Sequence, residues 1–343
     1  MNDTFLRACR CEPTDYTPVW LMRQAGRYMK EYMEIRKRHS FLEMCRTPEI
    51  ACEVTLQPVD KLNVDAAIIF ADILLPLEGM GIKLEFAKNE GPVILNPVRG
   101  EKDVAALRVI EPAEDVPYLL EAIRLVKREL EDRIPLIGFS AAPFTLASYI
   151  IEGGGSKNYL HAKRLMYGEP ELWRRLMDSI TSTLIAYVNA QIDAGADAIQ
   201  IFDSWAGALS PQDYALYVQP HTRRLIEGIS GRVPVINFST GTSAYIDTIS
   251  QCGGDVVGVD WRIRLDTAWE RIGHGRAIQG NLDPTVLFAP RTEIKRQVET
   301  ILNMADRRAG HIFNLGHGII VGTPVDNVKA LVDYVHELSA KNR

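Results

Sequence analysis

The segment DAIQIFDS (residues 197–204) is the clearest indication of the fold in this sequence. Residues 198–202 form a short run rich in apolar and β-branched side chains, which is the length of one buried strand. Asp203 and Ser204 follow the run directly. A short continuous apolar run is typical of a buried parallel strand, and α/β barrels place their functional side chains at the carboxyl ends of such strands.

Seven further runs of this kind recur along the chain and are separated by helical patterns. They cover residues 18–22, 66–70, 136–139, 233–238, 256–259, 277–279 and 311–315. Eight strands alternating with helices predict an α/β fold, a (β/α)8 barrel formed by one domain over residues 1–343. An open doubly wound sheet is the alternative, but no G-x-G-x-x-G motif opens its first turn.

Patterns outside these strands predict three smaller features. The long gap between the second and third runs suits an inserted hairpin over residues 83–86 and 93–95, with a turn at Asn89-Glu90-Gly91. Leu172, Leu176, Ile180, Leu184 and Val188 recur every four residues and predict one apolar helix face. The sequence Thr323-Pro324-Val325-Asp326 predicts a capping box at the start of the last helix.

Composition and charge exclude several classes of protein. The chain has 343 residues, of which 46% are hydrophobic and 24% charged, with a net charge of -5. It therefore lacks the overall basic footprint of a nucleic-acid-binding protein. No signal-peptide pattern and no membrane-length apolar run are found. The five cysteines, an odd number without zinc-site spacing, predict reduced thiols, a cytoplasmic location and no metal.

A turn with two arginines follows the first predicted strand. Arg23 and Arg27 flank Gln24-Ala25-Gly26 in a chain that is otherwise mildly acidic. A helix starting near Gln24 would add free N–H groups, and an arginine fork binds a carboxylate through two bonds. This pattern predicts an anion site. The alternative is a solvated helix start, in which Glu31 or Glu34 pairs with the arginines.

Polar residues end most of the other predicted strands, at Asp72, Ser140, Ser204, Asp260, Asn281 and His317. Asp72 is predicted to contact a ligand or carry a proton, although a helix N-cap or a buried partner for an arginine would also place it there. His317 lies between two glycines, where it could donate to a carboxylate or carbonyl, or carry a proton. Asp203 and Asp260 could equally serve the scaffold.

The motif Pro18-x-Trp20-x-Met22-Arg23-Gln24-Ala25-Gly26-Arg27 resembles a signature of uroporphyrinogen decarboxylases. The similarity extends through the segments 138–145, 279–284 and 314–318, so it covers nearly the whole chain. The resemblance implies a homodimer of distorted barrels that acts in haem biosynthesis without a metal or organic cofactor. The implied substrate is uroporphyrinogen III, whose four acetate arms become methyl groups in coproporphyrinogen III.

The resemblance also implies which residues form the site. The expected substrate contacts are Arg23, Gln24, Ala25, Gly26, Arg27, Arg36, Phe41, Asp72, Tyr149, Ser204 and His317. Asp72 is expected to stabilise a cationic pyrrole ring, and Arg23 and Arg27 are expected to orient carboxylate arms. One of these arginines is also a candidate proton donor.

Two other functions remain open at this stage. One is a zinc-dependent methyltransferase on a related barrel. Its His-x-Cys ligand pair is absent, because the fifth predicted strand ends in Asn237-Phe238-Ser239. Its later cysteine is absent as well, since the eighth strand leads to His317. The other is a porphyrinogen-binding protein without catalytic activity.

Overall fold

Most of the predicted strands pair side by side in one curled parallel sheet. A computed structural model describes residues 1–87, 91–229 and 231–340. The sheet has seven strands in the order β1-β4-β5-β6-β7-β8-β9. These strands are β1 (Ala67–Ile68), β4 (Leu136–Ala141), β5 (Ala198–Asp203), β6 (Val235–Ser239), β7 (Val256–Gly258), β8 (Ala277–Gln279) and β9 (His311–Ile312). A separate antiparallel hairpin consists of β2 (Leu84–Ala87) and β3 (Gly91–Ile94).

The first predicted strand, residues 18–22, is not a regular strand, which corrects the prediction of eight. Val19 forms one parallel bridge with Phe313, and its carbonyl accepts a hydrogen bond from the Asp65 N–H at 2.8 Å. At residues 21 and 22, side-chain oxygens accept the hydrogen bonds of the backbone N–H groups in place of a neighbouring strand. The Met22 N–H donates to Asn314 Oδ1, and the Leu21 N–H donates to Gln24 Oε1, both at 3.1 Å. The segment therefore lies between β9 and β1 without forming a continuous ladder with either.

Helices cover the outer face of the sheet and connect its strands. They are α1 (Thr4–Cys9), α2 (Lys30–Arg38), α3 (Phe41–Arg46), α4 (Pro48–Leu62), α5 (Pro76–Gly79), α6 (Glu101–Ala105), α7 (Pro112–Asp115), α8 (Pro117–Leu130), α9 (Pro143–Glu152), α10 (Leu160–Gly168), α11 (Pro170–Asp193), α12 (Pro211–Tyr217), α13 (Gln219–Glu227), α14 (Ile246–Ser250), α15 (Leu265–Ile272), α16 (Arg291–Ala305) and α17 (Val325–Ser339). Many begin with proline, whose fixed φ and missing N–H suit the first helical position.

Two of the smaller predictions are confirmed, and one is wrong. The apolar stripe with a spacing of four residues lies on α11, where all five of its members are buried. The hairpin forms as expected, although Asn89 and Glu90 of its predicted turn lie outside the described residues. The last helix has no capping box, because Pro324 is its N-cap and the Thr323 hydroxyl donates to the Ile320 carbonyl at 2.8 Å instead.

The N-terminal end of the curled sheet is closed by α1. Phe5 and Leu6 of this helix pack in one buried cluster with residues from the beginnings of the strands, among them Ala198 and Ala277. Above them the interior is partly polar, because Gln279 accepts a hydrogen bond from Trp20 Nε1 and donates to Gln200 Oε1, both at 2.9 Å. With one end closed, a ligand has access from the carboxyl ends of the strands.

Within the described parts of the chain, none of the helices is both long enough and apolar enough to cross a membrane.

Candidate active site

The arginine turn is an irregular loop, so the predicted helix start near Gln24 is wrong. The helix α2 begins only at Lys30, and the preceding residues form turns. Arg23 has a φ of 61°, in the left-handed region, which redirects the chain immediately after the buried segment. An anion would therefore meet arginine side chains here and not the N-terminus of a helix.

The side chain of Gln24 holds this turn in place. It is completely buried, accepts from the Leu21 N–H and donates to the Ala66 carbonyl, both at 3.1 Å. Both ends of the amide are therefore occupied by the backbone. The Gln24 side chain is therefore not free to make the predicted contact with a substrate. It joins the arginine turn to the segment that leads into β1.

Arg23 and Arg27 are both exposed, and neither forms an ion pair within the described residues. The acidic residues named in the alternative interpretation bind lysines instead. Glu34 pairs with Lys37 at 2.6 Å, and Glu31 pairs with Lys61. The two guanidinium groups consequently keep their hydrogen-bond donors available for a ligand.

Asp72 lies after β1 and is only partly exposed. Its Oδ1 accepts a hydrogen bond from the Leu74 N–H at 2.8 Å, so it also fixes the turn that begins there. Burial raises the pKa of this carboxyl group to about 6, against the lowering effects of that N–H and of the Arg23 guanidinium. A carboxylate whose pKa is raised by burial, with a cation nearby, is a frequent feature of catalytic sites.

Tyr149, on α9, lies near both Asp72 and Arg23. Burial and the charge of Asp72 together raise the pKa of its hydroxyl to about 12, against the opposing effect of Arg23. The tyrosine ring stacks on Trp205, with centroids 3.9 Å apart. Ser204, the residue before this tryptophan, is partly exposed at the end of β5. These contacts bring Asp72, Tyr149, Arg23 and Ser204 to one region at the carboxyl edge of the sheet.

His317 is held in a single neutral tautomer. The Gly318 N–H donates to its Nδ1 at 2.8 Å, so the ring proton is on Nε2, which is left to donate to a ligand. Burial lowers the pKa of the imidazole to about 4, and Arg23 and Arg262 lower it as well, while Asp260 raises it. At neutral pH this histidine is therefore an uncharged hydrogen-bond donor.

A second group of predicted residues surrounds Tyr32 and Phe70, beside Asp72. The guanidinium groups of Arg36 and Arg27 both oppose the effect of burial, which raises the pKa of the Tyr32 hydroxyl. The ring of Phe41 packs edge-on against Phe70 at 5.8 Å. Arg36 also donates to the His39 carbonyl at 2.8 Å.

Ala25 and Gly26, which lie between the two arginines, are partly exposed on the turn.

The other strand-end residues mainly support the scaffold. Ser140 is completely buried, and its hydroxyl donates to the Ala141 carbonyl at 2.9 Å. Asn281 donates to the carbonyls of Asp260 and Ile263, at 2.8 and 2.7 Å. Asp203 accepts from the Thr145 hydroxyl at 2.8 Å, and burial raises the pKa of its carboxyl group to about 7.

Sequence reasoning missed two side chains that border the cleft. Trp205 supplies the aromatic surface on which Tyr149 stacks, and Arg262 lies close enough to His317 to affect its pKa. Both follow a strand-end aspartate by two residues, Asp203 and Asp260 respectively, and this shared spacing was the available signal.

The described residues contain no group of three or more histidine, cysteine, aspartate or glutamate side chains arranged to hold a metal ion. The five cysteines are all free thiols.

Comparison with solved structures identifies the fold. A methyltransferase from Methanosarcina mazei superposes with a TM-score of 0.84 over 98% of each chain, at 23% identity. A putative vitamin-B12-independent methionine synthase from Listeria monocytogenes has a TM-score of 0.63 at 11% identity, covering 96% of this chain and 99% of that one. The fold is therefore of the α/β, barrel-like type, with the candidate site at the carboxyl ends of its strands.

Comparison of sequences identifies the family. The family model described as uroporphyrinogen decarboxylase matches residues 1–338. The uroporphyrinogen decarboxylase of Carboxydothermus hydrogenoformans is 61% identical over 99% of this chain and 97% of that protein. The protein of the same name from Geobacter sulfurreducens is 53% identical over 99% of this chain and 100% of that protein. This chain belongs to the uroporphyrinogen decarboxylase family and is a decarboxylase of porphyrin biosynthesis.

Proposed function

We propose that this enzyme converts the four acetate arms of uroporphyrinogen III to methyl groups and releases coproporphyrinogen III. The observation that carries the proposal is the position of Asp72. A carboxylate whose pKa is raised by burial lies within the electrostatic reach of Arg23 at the open end of the sheet. A macrocycle with eight carboxylate arms and inward-pointing pyrrole N–H groups complements this arrangement, because the arms suit arginines and the N–H groups suit a carboxylate.

Decarboxylation requires an acceptor for the electron pair that is released when carbon dioxide leaves. A proton first adds to the pyrrole carbon beside the acetate arm and makes the ring a cation. The electron pair of the breaking carbon–carbon bond then moves into this ring, and carbon dioxide departs. A proton adds to the resulting exocyclic methylene group, and loss of the first proton restores the pyrrole. Each arm thus consumes one proton net and gives one methyl group and one carbon dioxide.

Within this sequence of steps, Asp72 stabilises the cationic ring. An ionised carboxylate near the pyrrole N–H groups contributes most when the ring carries its positive charge, so it lowers the barrier more than it strengthens binding. Arg23 and Arg27 bind carboxylate arms and orient the reacting ring. His317 donates a hydrogen bond from its Nε2–H to a carboxylate arm, and Tyr149 and Ser204 are polar contacts that fix the position of the macrocycle.

Several finer features of the enzyme belong to the same proposal. Residues 1–343 form one domain, in which the segment 18–22 completes an eight-membered barrel. The single bridge of Val19 to Phe313 and its hydrogen bond with Asp65 support this closure. We also propose a homodimer that needs no metal or organic cofactor, since the substrate ring itself accepts the electrons. Five free thiols support a cytoplasmic location.

Turnover of the substrate tests the proposal directly. Purified protein is incubated anaerobically and in the dark with chemically reduced uroporphyrinogen III, and the products are oxidised and separated by their number of carboxyl groups. We expect stepwise conversion from eight carboxyl groups to four, with and without a chelator. Binding without conversion would support a carrier. Activity lost to the chelator and restored by zinc would support a metal-dependent enzyme.

A further inference from the structure

The loop of residues 316–318 is packed tightly between Arg23 and the 260–261 segment. A β-carbon on Gly318 would lie 2.4 Å from Cδ of Arg23, so the arginine side chain passes directly over this glycine. A β-carbon on Gly316 would lie 2.6 Å from the backbone nitrogen of Trp261. The loop that carries His317 therefore contacts Arg23 through Gly318 and the 260–261 segment through Gly316, and Arg23, Arg262 and Asp260 all influence the pKa of the imidazole.

Arg262 is held on that second side in a defined position. Its guanidinium forms an ion pair with Asp260, whose side chain is only 3% exposed, and lies 4.3 Å from the ring centroid of Trp261. Asp260 is also anchored by the N–H groups of Gly241 and Arg262, at 2.8 and 2.9 Å. The arginine side chain itself is 51% exposed, so it keeps donors that face solvent. A cation fixed by a buried carboxylate and an aromatic ring is preorganised for an anionic ligand.

Arg23 and the segment of Arg262 contact the 316–318 loop at different points, Arg23 at Gly318 and the 260–261 backbone at Gly316. The pKa of Asp72 responds to Arg23, whereas the pKa of His317 responds to Arg23, Arg262 and Asp260. Arg23 thus acts on both groups, and Arg262 acts on the histidine. If the reacting ring lies at Asp72, an arm that reaches Arg262 belongs to another ring of the macrocycle.

We propose that Arg262 is a substrate-binding residue that holds a propionate arm, one of the four arms that the reaction retains. This inference rests on the proposed function and adds a contact to its site. A retained arm is present in the substrate, in every intermediate and in the product. Arg262 therefore binds ground state and transition state equally, and it affects substrate capture and not the chemical step.

The chain offers a matched control at Arg264. This arginine lies on the same segment and also pairs with an aspartate, Asp266, at 2.6 Å, and its side chain is 65% exposed. It does not contribute to the pKa shift of His317. Replacement of Arg264 therefore removes the same charge from the same surface without changing the proposed contact.

The test compares KM and kcat for the parent, Arg262→Met, Arg262→Lys and Arg264→Met. Methionine preserves the stem over Trp261 and removes the charge and the fork. We expect Arg262→Met to raise KM about tenfold, the effect of losing one charge-assisted contact, with kcat within about twofold of the parent. Arg262→Lys, which retains the charge without the fork, should raise KM about threefold. Arg264→Met should match the parent.

A second substrate shows whether Arg262 binds a propionate arm or an acetate arm. The porphyrinogen with five carboxyl groups retains four propionates and one acetate, so its KM should rise by the same factor as that of the substrate with eight. A smaller rise for the five-carboxyl substrate would show that Arg262 binds an acetate, which overturns the assignment. An unchanged KM, or a lower kcat at unchanged KM, overturns it too.

Thermal unfolding monitors the fold of each variant. If Arg262→Met does not fold, Arg262→Lys decides alone, and an unchanged KM in that variant counts against the proposal. Absence of turnover in the parent itself would refute the proposed function as well, so the two failures are distinguishable.

Discussion

Asp72 has a structural role and, in the proposed mechanism, a catalytic one, and its charge can be removed without removing the structural contact. Asp72→Asn keeps an oxygen that can accept from the Leu74 N–H, which fixes the local turn. We expect turnover to fall by about 10²–10³-fold, because removal of a preorganised electrostatic contact costs about 2.7–4 kcal/mol in the transition state. Binding should weaken less, since the arginines still hold the arms. Steady-state kinetics and equilibrium binding test this. Turnover within about threefold of the parent, in a folded variant, would contradict it.

The raised pKa of the same residue predicts a pH dependence. Burial raises the pKa of Asp72 to about 6, so the carboxylate becomes protonated as the pH falls through that value and the stabilising charge disappears. We expect kcat/KM to fall below pH 6 by about tenfold per unit, because this parameter reports the ionisation of the free enzyme. His317, with a pKa of about 4, remains neutral throughout this range. The residual activity of Asp72→Asn should lack this transition, and its persistence there would assign the transition to another group.

Among the elements, the loop after β9 positions Arg23 by steric contact. A β-carbon on Gly318 would approach Cδ of Arg23 to 2.4 Å, and the glycine itself does not have a left-handed φ. Gly318→Ala should therefore displace the arginine side chain without straining the backbone. We expect KM to rise about fivefold or more, with little change in the thermal midpoint. Gly322→Ala is an unsuitable control because its φ is 87°, whereas Gly275→Ala has open space around it. Wild-type KM in Gly318→Ala would refute the steric role.

The sequence was a reliable guide to the strands that are buried on both faces. The fourth to seventh predicted strands correspond to β5 through β8 within two residues at each end, because short β-branched apolar runs separated by helical patterns favour buried parallel strands. The prediction failed where side chains replace backbone partners. In residues 18–22 the amides of Gln24 and Asn314 accept the N–H bonds that a neighbouring strand would otherwise accept. Such long-range partners cannot be read from a local pattern.

The site was predictable in part for the same reason. Strand-end position correctly indicated that Asp72 and His317 lie at the open end, since that follows from the fold class. It did not distinguish the exposed Arg23 from its buried neighbour Gln24, because the direction of each side chain depends on a left-handed residue that local sequence does not specify. Nor did it reveal Arg262, whose position depends on Trp261 and a buried aspartate.

For the whole molecule, the oligomeric state is a separate prediction. The family resemblance implies a homodimer, which the present chain should form at micromolar concentration. Sedimentation equilibrium at several protein concentrations measures the mass directly, and activity measured on the same samples links it to function. A mass equal to the 38.4 kDa monomer, with undiminished activity, would exclude a functional dimer.

The overall charge of the molecule and the local charge of the cleft predict opposite responses to salt. The net charge of -5 is distributed over 14182 Å² of surface and repels a polyanionic substrate weakly from every side. The arginines of the cleft attract it over distances shorter than the screening length, which is about 10 Å at 0.1 M salt. We expect the local attraction to dominate, so that sodium chloride raises KM several-fold between 0.05 and 0.5 M and leaves kcat nearly constant. Arg27→Ala should make the dependence on salt less steep, because one fewer exposed cation then contacts the substrate. If KM fell as salt increased, the long-range repulsion would control substrate capture, and the exposed arginines would not be its main determinant.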